Sequence, residues 1–412
     1  MKRQEISLST EQEQAIEMCL DSLNRIFSVT GRAGTGKTSV LGIAYEETVT
    51  QVGRGRVVLC APTGRAAKRI QELTGIQAKT IHKLLEFPQP DESDGKGKPI
   101  SPDPKRNRQR PLNERVVYVD ESSMVSQQLY EQLMAALPAN GRIRFFGDNE
   151  QLPPVDKGSP FEDLLKTKPF KRLTRCFRSD DEILFNAERI RVGRLPVRND
   201  RFEIIYTDNP IRQLIAFTTK EVTHRGVQII MPTRNGNYGT NRVNPSLQLK
   251  FNPTGDILRV DRKAKILKDA PPPIALRGGD KFLWNQNDYQ LKLFNGDLGY
   301  IDWVNSEDGS LQISTDDRQM VIPPFIQTYS PFHGSIIHYD PRKKIELGYA
   351  VTTHKAQGSE FDTVIYCMTN AAPRMLNRRN LYTGITRARH NVIIICDRMA
   401  MTKSMRRYIS GG

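Results

Sequence analysis

Residues 27–38 read Phe-Ser-Val-Thr-Gly-Arg-Ala-Gly-Thr-Gly-Lys-Thr, and this stretch decides how the chain folds. An apolar run leads into a loop of the form G-x-x-x-x-G-K-[ST], and the sequence after it is typical of a helix. Glycines allow such a loop to turn its backbone N–H groups inward, so we expect a nest for phosphates at the helix N-terminus. The residues predicted to line it are Gly31, Ala33, Gly34, Thr35, Gly36, Lys37 and Thr38. Lys37 would reach the β- and γ-phosphates, and Thr38 would bind Mg²⁺.

A second apolar strand, predicted at residues 115–119, ends in Asp120 and Glu121. We expect Asp120 to hold Mg²⁺, largely through its water shell. Glu121 would orient the attacking water and take its proton. An Asp-Glu pair at a strand end is common, but together with the loop lysine it predicts hydrolysis of ATP with Mg²⁺ as cofactor.

Three further side chains are predicted to sense or stabilise the γ-phosphate. Gln151 follows a strand predicted at residues 142–147, and its neutral amide can donate a hydrogen bond without a fixed charge. Asp148, in the same turn, would support the Mg²⁺ shell. Arg178 and Arg387 have the fixed charge and forked donors that suit a γ-phosphoryl transition state. Taken singly, either arginine fits a surface position better.

The first predicted helix begins with Ser9 or Thr10 as its N-cap and runs to about Asn24. Gln12, in its first turn, can offer both an amide donor and an acceptor to an adenine edge. Taken alone, Gln12 fits an ordinary helix surface position better.

The charge balance indicates a polyanionic partner. The chain has 61 Lys and Arg against 46 Asp and Glu, a formal net charge of +15, which favours nucleic acid first and an anionic membrane second. No apolar run approaches the ~20 residues of a membrane span, and the first residues lack a secretory apolar region. We therefore expect a cytoplasmic, intracellular protein whose five scattered cysteines are reduced core residues.

Short polar turns after predicted strands are candidate contacts for nucleic-acid phosphates. Thr63 and Arg65 follow the strand predicted at residues 56–61, on the ligand edge of an open α/β sheet. His82 lies in the next mixed polar and apolar segment, where a structural role is the alternative.

In this order, the segments resemble superfamily 1B DNA helicases of the RecD/Dda-like family, closest in layout to the phage Dda-type proteins. Gln12 resembles the adenine-reading glutamine, and the loop with Asp120-Glu121 resembles the two Walker motifs. Residues 147–154 are similar to the coupling motif. The resemblance assigns Arg178 and Arg387 to the two arginine motifs and adds Glu360 as a nucleotide contact. It assigns the following residues to the DNA track: Pro62, Thr63, Arg65, Thr80, His82, Thr233, Thr353 and His354.

The resemblance implies an α/β fold with two RecA-like P-loop motor domains. The first would comprise residues 1–85 and 112–169 around a pin insertion, 1B, at 86–111. The second would comprise residues 170–285 and 347–412 around an SH3-like β-barrel insertion, 2B, at 286–346. Two features depart from the family pattern: Arg32 stands where a small residue or proline is usual, and Phe87 is the only aromatic residue of the pin region.

The resemblance also implies a function. It predicts a helicase that hydrolyses ATP, moves 5′ to 3′ on single-stranded DNA and unwinds duplex in replication, recombination or repair. The implied partners are single-stranded DNA and the junction with duplex, with a single-strand-binding protein or replisome components as further candidates, and the protein would be a monomer in a bacterial or phage-infected cell. Two alternatives stay open: a translocase that displaces bound proteins without separating duplex, and a DNA-binding module that ATP gates without turnover.

Overall fold

The computed structural model describes residues 8–87, 103–177, 182–260, 274–288, 290–330 and 335–408. Within them the chain forms two compact units, divided between Phe185 and Asn186. Each unit contains a parallel sheet with helices, so the predicted α/β class is confirmed. In these ranges no helix is both long and apolar enough to cross a bilayer.

Unit 1 is built on one six-stranded sheet. Its strands are β1 (Ile26–Gly31), β2 (Val57–Ala61), β3 (Ala78–Thr80), β4 (Val116–Val119), β5 (Arg142–Gly147) and β6 (Phe170–Leu173). Its helices are α1 (Thr10–Leu20), α2 (Lys37–Val52), α3 (Gly64–Thr74), α4 (Ile81–Leu84), α5 (Gln127–Ala136) and α6 (Pro160–Thr167). All strands are parallel, in the order β3-β2-β4-β5-β1-β6.

The central strands of this sheet are buried on both faces, which is why they appear in the sequence as continuous apolar runs. Along β4, Val116 and Tyr118 join one core cluster, whereas Val117 and Val119 join the other. This alternation follows from the two-residue period of a strand.

Helix α1 begins as predicted but ends earlier than expected. Ser9 is its N-cap, with a capping box in which Ser9 N donates to Oε1 of Gln12 at 2.9 Å. The helix ends at Leu20, not near Asn24. The fully buried Arg144 of β5 donates to carbonyl oxygens at this end, those of Cys19 and Asp21 both at 2.7 Å, and so satisfies acceptors that the helix leaves unpaired.

The second domain does not begin at residue 170 as expected, because the strand that begins there belongs to the first sheet. Phe170–Leu173 forms β6, which pairs with β1 in parallel register, Ser28 opposite Phe170 and Gly31 opposite Leu173. The strand is therefore the edge of the first sheet.

Unit 2 carries a second parallel sheet and an antiparallel insertion. Its helices are α7 (Glu182–Arg191, which straddles the division), α8 (Pro210–Phe217), α9 (Thr240–Phe251), α10 (Thr353–Ala356), α11 (Arg378–Ile385) and α12 (Arg398–Arg406). The strands before the insertion are β7 (Phe202–Tyr206) and β8 (Val227–Met231). The strands of the insertion are β9 (Ile257–Val260), β10 (Ile274–Arg277), β11 (Lys281–Trp284), β12 (Leu298–Val304), β13 (Leu311–Ser314), β14 (Gln319–Ile322), β15 (Ile326–Ser330), β16 (Ser335–Tyr339) and β17 (Ile345–Leu347). The last strands are β18 (Ala350–Thr352), β19 (Phe361–Met368) and β20 (Ala388–Cys396).

The parallel sheet of unit 2 has the order β18-β8-β19-β20-β7. The insertion contains an antiparallel sheet in the order β14-β13-β12-β11-β17 and the pairs β9-β10 and β15-β16. This sheet extends past the predicted span of 286–346, because β11 pairs with both β12 and β17. The buried Trp284 lies in its core.

Candidate nucleotide and nucleic-acid sites

The loop between β1 and α2 has the backbone that a phosphate nest requires. Gly34 and Gly36 have φ values of 79° and 77°, which L-residues with a side chain rarely adopt. A Cβ on Gly36 would lie 2.4 Å from Nε2 of Gln12, and one on Gly31 would lie 2.6 Å from Oγ1 of Thr35. The loop therefore requires glycine at position 36 for packing as well as for conformation, at 34 for conformation and at 31 for packing.

Lys37 holds its ammonium group over this loop. Its Nζ donates to the carbonyl oxygens of Gly31 at 2.6 Å and Arg32 at 2.7 Å. Lys37 and Thr38 form the first turn of α2, whose N-terminal N–H groups and dipole favour an anion. A cation beside a helix N-terminus is the arrangement that a bound triphosphate needs, so the residues present fit it.

Asp120 and Glu121 follow β4 directly, as the sequence predicts. Asp120 N donates to Cys60 O at 2.9 Å, which fixes the strand end. Burial raises the pKa of the Asp120 carboxyl, and the neighbouring Glu121 raises it further, whereas the charge of Lys37 lowers it. A half-buried carboxylate in this position gains from a divalent cation, so Asp120 and the Thr38 hydroxyl fit Mg²⁺.

Glu121 itself adopts a left-handed backbone with φ of 49°. For a residue with a side chain this conformation is sparsely populated, and such strain is often found at functional sites. It turns the chain into the 3₁₀ turn Ser122–Met124 immediately after the carboxylate pair.

The turn after β5 is hydrogen-bonded to β1, the strand that precedes the phosphate loop. The Asp148 side chain is buried, and its Oδ1 accepts from Glu150 N at 3.0 Å. Gln151 is 4% exposed, and its N–H donates to Asp148 O at 3.2 Å. Thr30 Oγ1 donates to Asn149 Oδ1 at 2.9 Å. The sequence did not single out Asn149, although it lies inside the predicted segment.

Gln12 uses its amide within the protein. Its Oε1 accepts from Ser9 N, and its Nε2 donates to Thr35 O at 3.2 Å. The side chain therefore supports the phosphate loop, and the adenine contact stays a prediction.

A strap, which we define as residues 174–177, runs from β6 past the phosphate loop. Phe177 N donates to Gly34 O at 3.0 Å, and Cys176 Sγ lies 3.8 Å from Ala33 O. At the other end, the Glu11 carboxylate accepts from Thr174 N at 2.7 Å and Thr174 Oγ1 at 2.5 Å. No local pattern in the sequence indicates this role for Glu11. Arg178, the next residue, lies outside the described residues.

The predicted DNA contacts of unit 1 lie at helix starts. Thr63 caps α3 and accepts from Ala66 N at 3.2 Å, with Pro62 and Arg65 half-buried beside it. Thr80 caps α4 and accepts from Lys83 N at 3.0 Å. Both helices thus begin at the carboxyl ends of β2 and β3, the edge that also carries the phosphate loop.

His82 is half-buried, and burial lowers the pKa of its imidazole, so it is neutral near pH 7. Its ring packs on Phe87 with centroids 4.8 Å apart. Phe87 therefore lies at the base of the predicted pin. Residues 88–102 of that pin are outside the described ranges.

In unit 2 the threonine that caps a helix is Thr352, the residue before the predicted DNA contact Thr353. Thr352 caps α10 and accepts from Lys355 N at 3.3 Å. Thr353 is fully buried, and its Oγ1 donates to Met231 O at 3.4 Å, so its hydroxyl is not presented to a strand. A helix-cap pattern starting one residue earlier could have identified Thr352. His354 is half-buried with a pKa lowered by burial, and Thr233 lies in the turn after β8.

Arg387 is 6% exposed and holds its guanidinium within unit 2. It donates to Thr383 O at 3.1 Å and Ser359 O at 3.5 Å. Glu360, the other predicted nucleotide contact of this unit, accepts from Arg389 Nε at 3.1 Å. Their predicted contacts with nucleotide therefore stay predictions.

The chain is similar to known proteins over most of its length. A family model described as an AAA domain matches residues 7–209, and one described as a UvrD-like helicase C-terminal domain matches residues 347–395. The chain is 31% identical over 397 residues to the ATP-dependent RecD2 DNA helicase of Deinococcus radiodurans, covering 94% of this chain and 49% of that protein. It is 26% identical over 402 residues to the RecBCD enzyme subunit RecD of Mycolicibacterium smegmatis, covering 89% and 67%. The chain thus spans about half the length of the Deinococcus relative.

Solved structures share the fold. A Pif1 helicase from Bacteroides, in complex with ADP-AlF3 and single-stranded DNA, matches with a TM-score of 0.59 and 19% identity, covering 97% of this chain and 94% of that one. The Pif1 helicase from Candida albicans matches with a TM-score of 0.58 and 20% identity, covering 96% and 98%.

Proposed function

Because this chain belongs to the RecD-like helicases of superfamily 1B, we propose that it is an ATP-dependent helicase that moves 5′ to 3′ on single-stranded DNA and unwinds duplex. One observation carries the proposal. Lys37, in the first turn of α2 after β1, and the Asp120-Glu121 pair, directly after β4, follow the carboxyl ends of strands in one parallel sheet, and the lysine charge lowers the pKa of the Asp120 carboxyl. A nucleotide-binding loop alone would not predict hydrolysis, whereas this pairing does.

In this proposal the phosphate loop and Lys37 bind and orient the triphosphate. Thr38 and Asp120 would hold Mg²⁺, which supplies charge neutralisation for the phosphoryl oxygens. Glu121 takes a proton from the attacking water, and Gln151 orients the γ-phosphate. Arg178 and Arg387 are the proposed donors to the transition state, and Gln12 and Glu360 the proposed further nucleotide contacts.

The proposed DNA track follows the helix starts at the carboxyl ends of strands in each unit. Thr63, Thr80 and Thr352 cap these helices, and their N-termini favour phosphate. His82 and His354 are neutral, so they contribute hydrogen bonds and no fixed charge. Contacts of this kind predict weak sequence preference and steep salt dependence.

We assign the insertion sheet of unit 2 to the SH3-like 2B domain and residues 86–111 to the 1B pin. The five antiparallel strands with a shared core support the first assignment. The protein would act as a monomer at the junction of single-stranded and duplex DNA, with Mg²⁺ and ATP as its requirements, and with a single-strand-binding protein or replisome components as further candidate partners.

ATP turnover with and without single-stranded DNA tests the proposed chemistry. The wild-type chain should show DNA-stimulated hydrolysis, and Lys37→Ala should lose nearly all of it because the ammonium binds the transferring phosphoryl group. A Lys37→Ala protein that turned over ATP at the normal rate would rule the scheme out. A chain that binds ATP but never turns it over would be the ATP-gated module instead.

One observation favours a translocase as a second candidate. Phe87, the single aromatic residue of residues 86–110, packs its ring against His82, which leaves the pin region with no second aromatic residue to act as a wedge. A translocase would hydrolyse ATP with DNA stimulation and strip a bound protein, but it would leave a naked fork paired.

A further inference from the structure

A group of arginines from three separate segments meets on one side of unit 2. Arg378 N donates to Arg407 O at 3.0 Å, and Arg407 Nη1 donates to Arg374 O at 3.1 Å. A Cβ on Gly193 would lie 3.1 Å from Arg378 Nη1, so the backbone next to Arg194 lies beside the Arg378 side chain. We call Arg194, Arg374, Arg378, Arg406, Arg407 and the adjoining Tyr408 the arginine face.

This face concentrates positive charge without local compensation. In the part of the chain that the structure describes, Arg374, Arg378, Arg406 and Arg407 form no ion pair with a carboxylate. Apart from the half-buried Arg378, these arginines are exposed. Backbone hydrogen bonds hold the like charges together against their repulsion, and a bound polyanion would relieve that repulsion.

Tyr408 adds an aromatic surface to the group. Its side chain is 44% exposed, and the guanidinium carbons of Arg378 and Arg379 lie 5.1 Å and 5.9 Å from its ring centroid. Arginine forks bind phosphate in two parallel hydrogen bonds, and aromatic rings stack on unpaired bases. An acidic peptide would use the charges but gain nothing specific from the ring.

The arginine face uses different elements from the predicted track. Thr233 follows β8 and Thr352 ends β18, the two strands at one edge of the parallel sheet. The face is formed by the residues after α7, which precedes β7 at the opposite edge, by the segment before and at the start of α11, and by the end of α12 and the residues after it.

We propose that the arginine face is a second nucleic-acid site, which binds the phosphates of a strand outside the motor track and stacks an unpaired base on Tyr408. This site does not require ATP hydrolysis, so it can be tested separately from the proposed motor activity.

The test compares the salt dependence of DNA binding for the full chain and two variants. Arg374→Gln/Arg406→Gln removes two charges of the face. Arg212→Gln/Lys220→Gln removes two exposed charges elsewhere on unit 2 and is the matched control. Fluorescence anisotropy would measure binding of a labelled dT oligomer long enough to leave the track, and of a blunt duplex, over a series of NaCl concentrations.

For the oligomer, Arg374→Gln/Arg406→Gln should reduce the magnitude of the slope of log affinity against log salt concentration by about 1.4. Each lost contact with a single-strand phosphate accounts for about 0.7 of this change. The control should change the slope by much less. Tyr408→Ala should reduce the affinity for the oligomer several-fold more than the affinity for the duplex, because only unpaired bases can stack on the ring. Thermal melts of all variants must match the wild type.

Equal slopes for the face variant and its control would overturn the proposal, since net charge alone would then explain binding. Unchanged DNA binding with loss of binding to an oligoglutamate peptide would also overturn it, in favour of an acidic protein partner. Wild-type ATP turnover with a short oligomer is measured in parallel, so that failure of the motor and failure of this face are distinguishable.

Discussion

At the scale of single residues, the phosphate loop tolerates least change at Gly36. Gly75 offers a matched control, because it too has a left-handed backbone, with a φ of 72°, but nothing lies within 4 Å of a Cβ there. Gly75→Ala should cost about 1 kcal/mol for the left-handed backbone alone. Gly36→Ala should cost at least about 2 kcal/mol, because the methyl group also displaces the Gln12 amide that completes the cap of α1. Urea unfolding measures both, and equal costs would contradict the account.

Glu121 is the residue on which turnover depends in the proposed mechanism. Glu121→Gln should lower the rate of ATP hydrolysis by about 10²- to 10⁴-fold, because the amide cannot take a proton from water. Nucleotide affinity should stay near wild type, since Lys37 and the loop are unchanged. Steady-state hydrolysis and equilibrium binding of a fluorescent ATP analogue separate the two effects, with the exposed Glu131→Gln as control. Full turnover in Glu121→Gln would exclude it as the base.

At the scale of elements, Arg144 fastens α1 to the sheet. Besides its bonds to Cys19 and Asp21, it donates to Asn24 O at 2.8 Å. Arg144→Met should lower the free energy of unfolding by about 2–4 kcal/mol, because several carbonyls near the helix end lose a charged donor. Arg142 donates to Leu20 O at 3.2 Å, and Arg142→Met should cost less than about 1 kcal/mol. Chemical denaturation of both variants measures the difference in their free energies of unfolding. Similar losses in the two variants would show that Arg144 does not hold α1 to the sheet.

The strap makes stability depend on pH through Glu11. Hydrogen bonds from Thr174 lower the pKa of the Glu11 carboxyl from its usual 4.5. A carboxyl whose pKa is lower in the folded state stabilises the fold above its unfolded pKa, and this contribution is lost as pH falls through the folded pKa. The stability difference between wild type and Glu11→Gln should therefore be full at pH 7 and shrink below about pH 4.5.

Urea unfolding at several pH values measures this difference, and the neighbouring exposed Glu13→Gln is the control. A difference for Glu11→Gln that persisted unchanged in acid would show that the charge of the carboxylate does not hold the strap.

The elements that sequence could predict are those whose signals are local. The strands β1, β2, β4 and β5 are apolar because both faces of the sheet are covered. The Ser9 cap and the glycine loop have local patterns of their own. In contrast, β6 has mostly exposed or half-buried residues, and its pairing with β1 joins segments far apart in the chain. The role of Glu11 depends on the same long-range approach, so no local pattern shows it.

At the scale of the whole molecule, the parallel α/β class and the antiparallel insertion follow from the order of the segments. The bounds were less predictable, because β11 looks like part of the motor domain in the sequence but pairs with β12 and β17. The start of α10 was equally hard to place from the sequence, because a shift of one residue decides that Thr352 caps the helix and that the Thr353 hydroxyl is buried.

In the proposed function, ATP turnover drives movement along one strand with a fixed direction. ATP-dependent unwinding of one duplex carrying a single-stranded tail at either its 5′ or its 3′ end measures both properties together. We expect strand separation with the 5′ tail, little with the 3′ tail, and none for Lys37→Ala. Unwinding that prefers the 3′ tail, or that survives in Lys37→Ala, would contradict it.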